Sequence, residues 1–181
     1  MKVTETHLKG CFIIEPQVFV DERGYFFESF HKEKFQQLTN IEVDFLQDNE
    51  AFSNRGVVRG LHFQKGQYAQ AKLIRVVKGK VLDIVVDLRS GSKTFGKHFS
   101  IILSEENKKQ LFVPRGFAHG YAVLEDNTLF SYKCDHYYNK ESEGGVIYND
   151  KDLQIDWMLE ENEIQLSEKD KNLKTFSNIT I

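Results

Sequence analysis

AKLIRVVKGKVLDIVVDLR, Ala71 to Arg89, reads as two strands and a turn. Apolar and polar residues alternate on either side of Gly79. The β-branched side chains of Ile74, Val76, Val77, Val81, Ile84, Val85 and Val86 favour extended backbone. A glycine between two such runs marks a tight turn. The same period of two recurs in HFSIILSEENKKQLFVP (98–114), where Ser104 followed by glutamates suggests one short helical turn between strands, and again in TLFSYKCDHYYN (128–139). HKEKFQQL (31–38) and LSEKDKNL (166–173) are the helix candidates. Many short strands, few helices and 15 phenylalanines predict an antiparallel all-β sandwich or barrel.

Composition narrows the class. A chain of 181 residues, 40% hydrophobic and 28% charged, can bury a sizeable core, and its length predicts one domain over 1–181. The start, MKVTETHLKG, has no apolar core and no small-residue cleavage site, and no window approaches the roughly 18 apolar residues of a membrane span. The expectation is a cytoplasmic chain with no membrane partner. Cys11 and Cys134 stand apart, outside any C-x-x-C pair, which predicts buried reduced thiols. A formal charge of −3 argues against binding nucleic acid through its phosphates. One small anion is a different matter, because a few guanidinium groups such as those of Arg23, Arg59 or Arg115 suffice to hold a pyrophosphate.

Two segments carry chemistry. In RGVVRGLHFQ (55–64), Gly60 admits a close backbone approach, and an extended chain turns His62 and Gln64 to one face and Leu61 and Phe63 to the other. In FVPRGFAHG (112–120), Pro114 ends a ladder, the chain turns at Gly116, and His119 follows where it re-enters the sheet. The pattern P-x-G-x-x-H-G resembles the second signature of the cupin superfamily, whose fold is the double-stranded β-helix or jelly-roll barrel. Metal-binding cupins pair it with H-x-H and a glutamate four residues on; here those places hold His62, Gln64 and Tyr68. Two histidines without the remaining ligands make a poor transition-metal site, so no metal is expected and His62 is free to act as a base.

Proton abstraction next to a ketone needs a base, a cation at the enolate oxygen and an acid on the opposite face. His62, Lys72 and Tyr132 suit these roles. Lys72 sits on an otherwise apolar strand face, and alternation puts Phe130, Tyr132 and Cys134 on one side of theirs. A core tyrosine with a satisfied hydroxyl is the plainer alternative for Tyr132.

Taken in order, VFVDERGYFFESF, QDNEAFSNRGVVRGLHFQ, AQAKLIRVVKGKVLDIVVDLR, FVPRGFAHGYAVL, YKCDHYYN and LSEKD resemble the dTDP-4-dehydrorhamnose 3,5-epimerase family over essentially the whole chain. The resemblance implies a cofactor-free jelly-roll barrel with a few short helices, a homodimer, and a dTDP-4-keto-6-deoxy sugar as substrate. It implies His62 as the base, an aspartate matching Asp170 behind it, Tyr132 as the acid and Lys72 at the enolate oxygen. Arg23, Glu28, Gln47, Asn49 and Arg59 match nucleotide and phosphate contacts; His119, Glu143 and Lys169 match further ligand contacts, and Tyr138 an aromatic stacked on thymine. Arg23 with Glu28 also reads as an ordinary exposed pair, and Asp83 rivals Asp170 for orienting His62. Arg115 and Tyr121 fall where the family is expected to vary. A metal-dependent cupin enzyme, a non-catalytic sugar-nucleotide binder and an epimerase acting at C3 or C5 alone are the competing functions.

Overall fold

A computed structural model describes residues 1–180. Its strands are β1 (Lys2–Glu5), β2 (Phe12–Glu15), β3 (Phe19–Asp21), β4 (Gly24–Phe26), β5 (Gln47–Ser53), β6 (Val58–Gln64), β7 (Lys72–Lys78), β8 (Lys80–Asp87), β9 (His98–Ser104), β10 (Gln110–Val113), β11 (Phe117–Val123), β12 (Thr128–Cys134) and β13 (Glu143–Gly145). Two short α-helices accompany them, α1 (Lys32–Thr39) and α2 (Glu168–Lys171). Both expected helices form, the second as a single turn. Among the described residues no helix is long and apolar enough to cross a membrane.

The strands build a six-stranded sheet in the order β1-β2-β10-β7-β12-β5 and a five-stranded sheet in the order β13-β6-β11-β8-β9, with β3 and β4 as a separate hairpin. All pairings between these strands are antiparallel. The expected jelly-roll barrel is therefore corrected. Among the described residues no ladder joins the two sheets, and each ends in open edges: β1 and β5 on one, β13 and β9 on the other. Residues of β5 (Asn49, Ala51) and of β13 (Glu143) line one cavity between the sheets. A ladder joining those two edges would occupy the space that this opening uses.

The turn at Gly79 is also different in kind from a hairpin. β7 and β8 do not pair; β7 lies between β10 and β12, whereas β8 lies between β11 and β9. At Gly79 the chain crosses from one sheet to the other. Its φ of +79° suits glycine, and an added Cβ would meet the Thr128 side chain at 2.3 Å.

Period two now explains the core. Ile74 and Val76 of β7, Val81 and Val85 of β8, Val123 of β11 and Phe130 of β12 pack between the sheets. The alternate residues of β8, Leu82, Ile84 and Val86, pack on the far side against Leu153 and Trp157 of the C-terminal segment, so β8 is buried on both faces. On the far side of the larger sheet, Phe35 of α1 packs against Phe12, Leu73 and Phe112.

One irregularity sets the face on which Arg59 lies. His119 pairs with His62 and Tyr121 with Arg59, so Gly60 and Leu61 together oppose the single residue Gly120. This bulge restores Arg59 to the face of His62, which strict alternation would deny to residues three apart. Gly60 has φ +110°, and an added Cβ would lie 2.7 Å from both Gly120 Cα and the His119 carbonyl oxygen. Gly60→Ala is expected to destabilise the fold by about 1–3 kcal/mol from the backbone alone, read as a lower urea midpoint at unchanged slope. An unchanged midpoint would show that the bulge tolerates a side chain.

Candidate active site

Six strands, β5, β6, β7, β11, β12 and β13, line one cavity of about 620 Å³. Lys72 comes from β7, Tyr132 from β12, His62 and Arg59 from β6, and His119 and Tyr121 from β11. Lys72 is register-opposite Cys134, two residues from Tyr132, and its Nζ lies 5.7 Å from the Tyr132 ring centroid.

The C-terminal segment supplies the remaining piece. Gln165 bridges to Val57 in parallel, its N–H donating to the Gly56 carbonyl, and this lays the segment along β6. Ser167 then caps α2: its hydroxyl accepts from the Asp170 N–H at 3.1 Å and donates to Asp170 Oδ2 at 2.8 Å. Asp170, only 3% exposed, faces His62 with Oδ1 2.5 Å from Nε2. Burial alone would raise this carboxyl, but the hydrogen bonds from His62 and Ser167 and the Lys169 charge outweigh it, and the pKa is lowered. An ionised Asp170 accepts a proton-bearing Nε2, which leaves Nδ1 of His62 as a proton acceptor.

A second pair stands opposite. His119 Nε2 lies 2.9 Å from Asp83 Oδ2, both residues buried. The rivalry over His62 is thereby decided: Asp170 contacts His62, and Asp83 contacts His119. Burial lowers the His119 pKa despite the Asp83 charge, and burial raises that of Asp83 despite His119 and Lys72. Asp83 Oδ1 has no hydrogen-bond partner among the described residues. Burial likewise lowers the Lys72 pKa, against the opposing influence of Cys134, Asp83 and Glu143, and raises that of the Tyr132 phenol. A cavity holding an Asp-backed histidine, a half-buried lysine and a neutral phenol can move protons at carbon next to a carbonyl.

The mouth gathers most of the expected ligand contacts. Lys169 donates to Glu143 Oε1 at 2.8 Å, and the Tyr138 hydroxyl donates to Oε2 at 3.3 Å. Gln47 accepts from the Tyr138 N–H at 3.0 Å and donates to Asn49 at 2.9 Å, tying the Tyr138 loop to β5. Arg59 donates to Ser53 Oγ at 3.2 Å. Three expected residues fall outside the cavity lining: Gln47, which reaches it only through Asn49 and Tyr138, and two that lie elsewhere. Arg23, in the β3–β4 turn, binds Asp21, and Glu28 binds Lys34; neither lines this cavity. The likeness to a metal site also weakens, since Gln64 accepts from the Asn139 N–H at 2.9 Å while Tyr68 sits against the His136 ring and outside the cavity lining. Tyr121 lines the cavity although no motif singles it out as a ligand contact; its place two residues from His119 on one strand face is the available signal.

The family model for dTDP-4-dehydrorhamnose 3,5-epimerase matches residues 5–178. A dTDP-4-dehydrorhamnose 3,5-epimerase of Methanothermobacter thermautotrophicus is 47% identical over 171 residues, covering 94% of this chain and 91% of its own. A crystal structure of the epimerase of that name from Elizabethkingia anophelis superposes with a TM-score of 0.95 at 56% identity, over 98% of this chain and 97% of the other. A dTDP-6-deoxy-D-glucose-3,5-epimerase of Legionella pneumophila, solved in complex with dTDP-4-keto-L-rhamnose, also gives 0.95, at 46% identity over 99% and 94%. A family match spanning nearly the whole chain, joined by relatives this similar, shows that the chain belongs to the dTDP-4-dehydrorhamnose 3,5-epimerase family.

Proposed function

We propose that this chain converts dTDP-4-dehydro-6-deoxy-D-glucose to dTDP-4-dehydro-L-rhamnose by removing and returning a proton at C3 and at C5. The observation that carries the reading is the Asp170-held His62 in a cavity shared with Lys72 and Tyr132. Both carbons flank the C4 ketone, so loss of either proton leaves an enolate with its charge on O4. His62 Nδ1 takes the proton while Asp170 steadies the imidazolium; the Lys72 ammonium faces O4; the Tyr132 hydroxyl returns a proton to the opposite face of the ring. Each round leaves His62 with one proton more and Tyr132 with one fewer, and exchange with water restores both. Arg59, His119, Asn49, Gln47, Glu143 and Lys169 hold the nucleotide and sugar, with Tyr138 against the thymine.

The test is turnover of the 4-keto sugar nucleotide by chelator-dialysed protein, followed by chemical reduction of the ketone and sugar analysis. L-rhamnose and its C4 epimer among the products support the reading. Recovery of D-sugars alone, or activity restored only by added metal, contradicts it.

The proposal extends to a single domain over 1–181, working as a homodimer in the cytoplasm. Support for the last is that both cysteines are free and buried, as a reducing compartment allows. Support for the dimer is the β3–β4 hairpin, where Val20 is 78% and Phe26 66% exposed, beside Arg23 and Glu28, which lie outside their own chain's cavity. Packed on a second copy, the hairpin would cover its apolar side chains and bring those two residues to the partner's site. Light scattering at micromolar concentration should give twice the chain mass, and Val20→Asp with Phe26→Asp should halve it and lower activity. A fully active monomer would contradict the shared site.

A further inference from the structure

Tyr121 is placed like a ligand-contacting residue, yet neither the proton transfers nor the ligand contacts assigned to its neighbours use it. Its side chain faces the cavity from β11, two residues beyond His119, and the residue is only 5% exposed. Its ring is fixed by stacking on Phe130, with centroids 3.9 Å apart and planes 16° from parallel. Phe130 in turn leans on Tyr132 at 5.9 Å. The Tyr121 hydroxyl makes no hydrogen bond among the described residues, while its register partners are Arg59 on β6 and Asp83 on β8. Among the described residues only Asp83 Oδ1 is a fully buried side-chain polar atom without a partner, so the Tyr121 hydroxyl opens into the cavity, where a ligand oxygen can replace water as its acceptor.

We propose that the Tyr121 hydroxyl donates a hydrogen bond to an oxygen of the hexose ring and so contributes to recognition of the sugar half of the substrate. This rests on the cavity being the site of a dTDP-4-keto sugar. The sugar, rather than the diphosphate or base, is the acceptor for two reasons. Tyr121 lies at the buried end of the cavity near Tyr132, between which and His62 the reacting ring must sit, whereas half-exposed Tyr138 and exposed Lys169 mark the mouth. Burial also raises its pKa, with Arg59 opposing, so the group is a neutral donor suited to a neutral oxygen, and the adjacent guanidinium is the better match for phosphate.

The variant Tyr121→Phe removes the hydroxyl and keeps the stack on Phe130. Calorimetric titration of wild type and variant with dTDP and with dTDP-glucose, a stable sugar nucleotide, separates the two halves of the ligand. The expected result is unchanged affinity for dTDP and about tenfold weaker binding of dTDP-glucose, the effect of one lost hydrogen bond. Equal weakening for both ligands would assign the hydroxyl to the nucleotide half and overturn the proposal; no weakening for either would also overturn it. A wild-type protein that binds neither ligand would instead refute the functional reading on which the proposal rests.

Discussion

His62→Ala is expected to abolish epimerisation and solvent exchange together, lowering kcat/KM by about a hundredfold to ten-thousandfold, the usual worth of a general base. Loss of exchange is the informative half, because exchange needs only removal of the proton. Asp170 and the cap at Ser167 remain in place, so nucleotide affinity, measured with dTDP, should stay close to that of wild type. Stability should change in a pH-dependent way. The Asp170 pKa is held down in the folded state, with His62 the first of the groups opposing its burial. That stabilisation is fully present above the unfolded aspartate value of about 3.9 and is lost as pH falls through the lower folded value. The stability difference between wild type and His62→Ala should therefore be greatest near neutrality and shrink on acidification. Retained exchange in His62→Ala would transfer the role of base to another group.

Tyr132→Phe should separate what His62→Ala removes together. With His62 and Lys72 intact, the proton still leaves and the enolate still forms, so deuterium exchange should persist. Return from the opposite face has lost its donor, so inversion should fall by about a hundredfold or more. The ring remains on Phe130 and near Lys72, which keeps the cavity wall in place. If exchange disappears as completely as in His62→Ala, or inversion survives, the division of labour between the two residues is wrong.

Local pattern made much of this readable in advance. Alternation in 58–64 and 128–134 turned His62 and Gln64 inward on one strand and Tyr132 with Cys134 inward on another, as the cavity and core confirm. Pairing is not a local property, and no single segment carries it. Nothing in Ala71–Arg89 reveals that the chain changes sheets at Gly79, nor that the sheet edges stay open instead of closing a barrel. The Gly60 bulge is similarly hidden, and without it Arg59 would face away from His62. Asp170 lies 108 residues from His62, so only resemblance pointed to the pair. Arg23 and Glu28 match family positions by motif, yet a single chain leaves Arg23 in an exposed hairpin turn and Glu28 exposed just beyond that hairpin, both outside the cavity.

Protons at both carbons flanking the ketone are expected to leave and return in this one cavity. Proton NMR of dTDP-4-keto-6-deoxyglucose with the wild-type protein in deuterated water measures this directly. The expected result is loss of the C3 and C5 proton signals and appearance of the L-configured product with deuterium at both positions. Exchange confined to one carbon, or an unchanged spectrum at enzyme concentrations that saturate with dTDP, would contradict it.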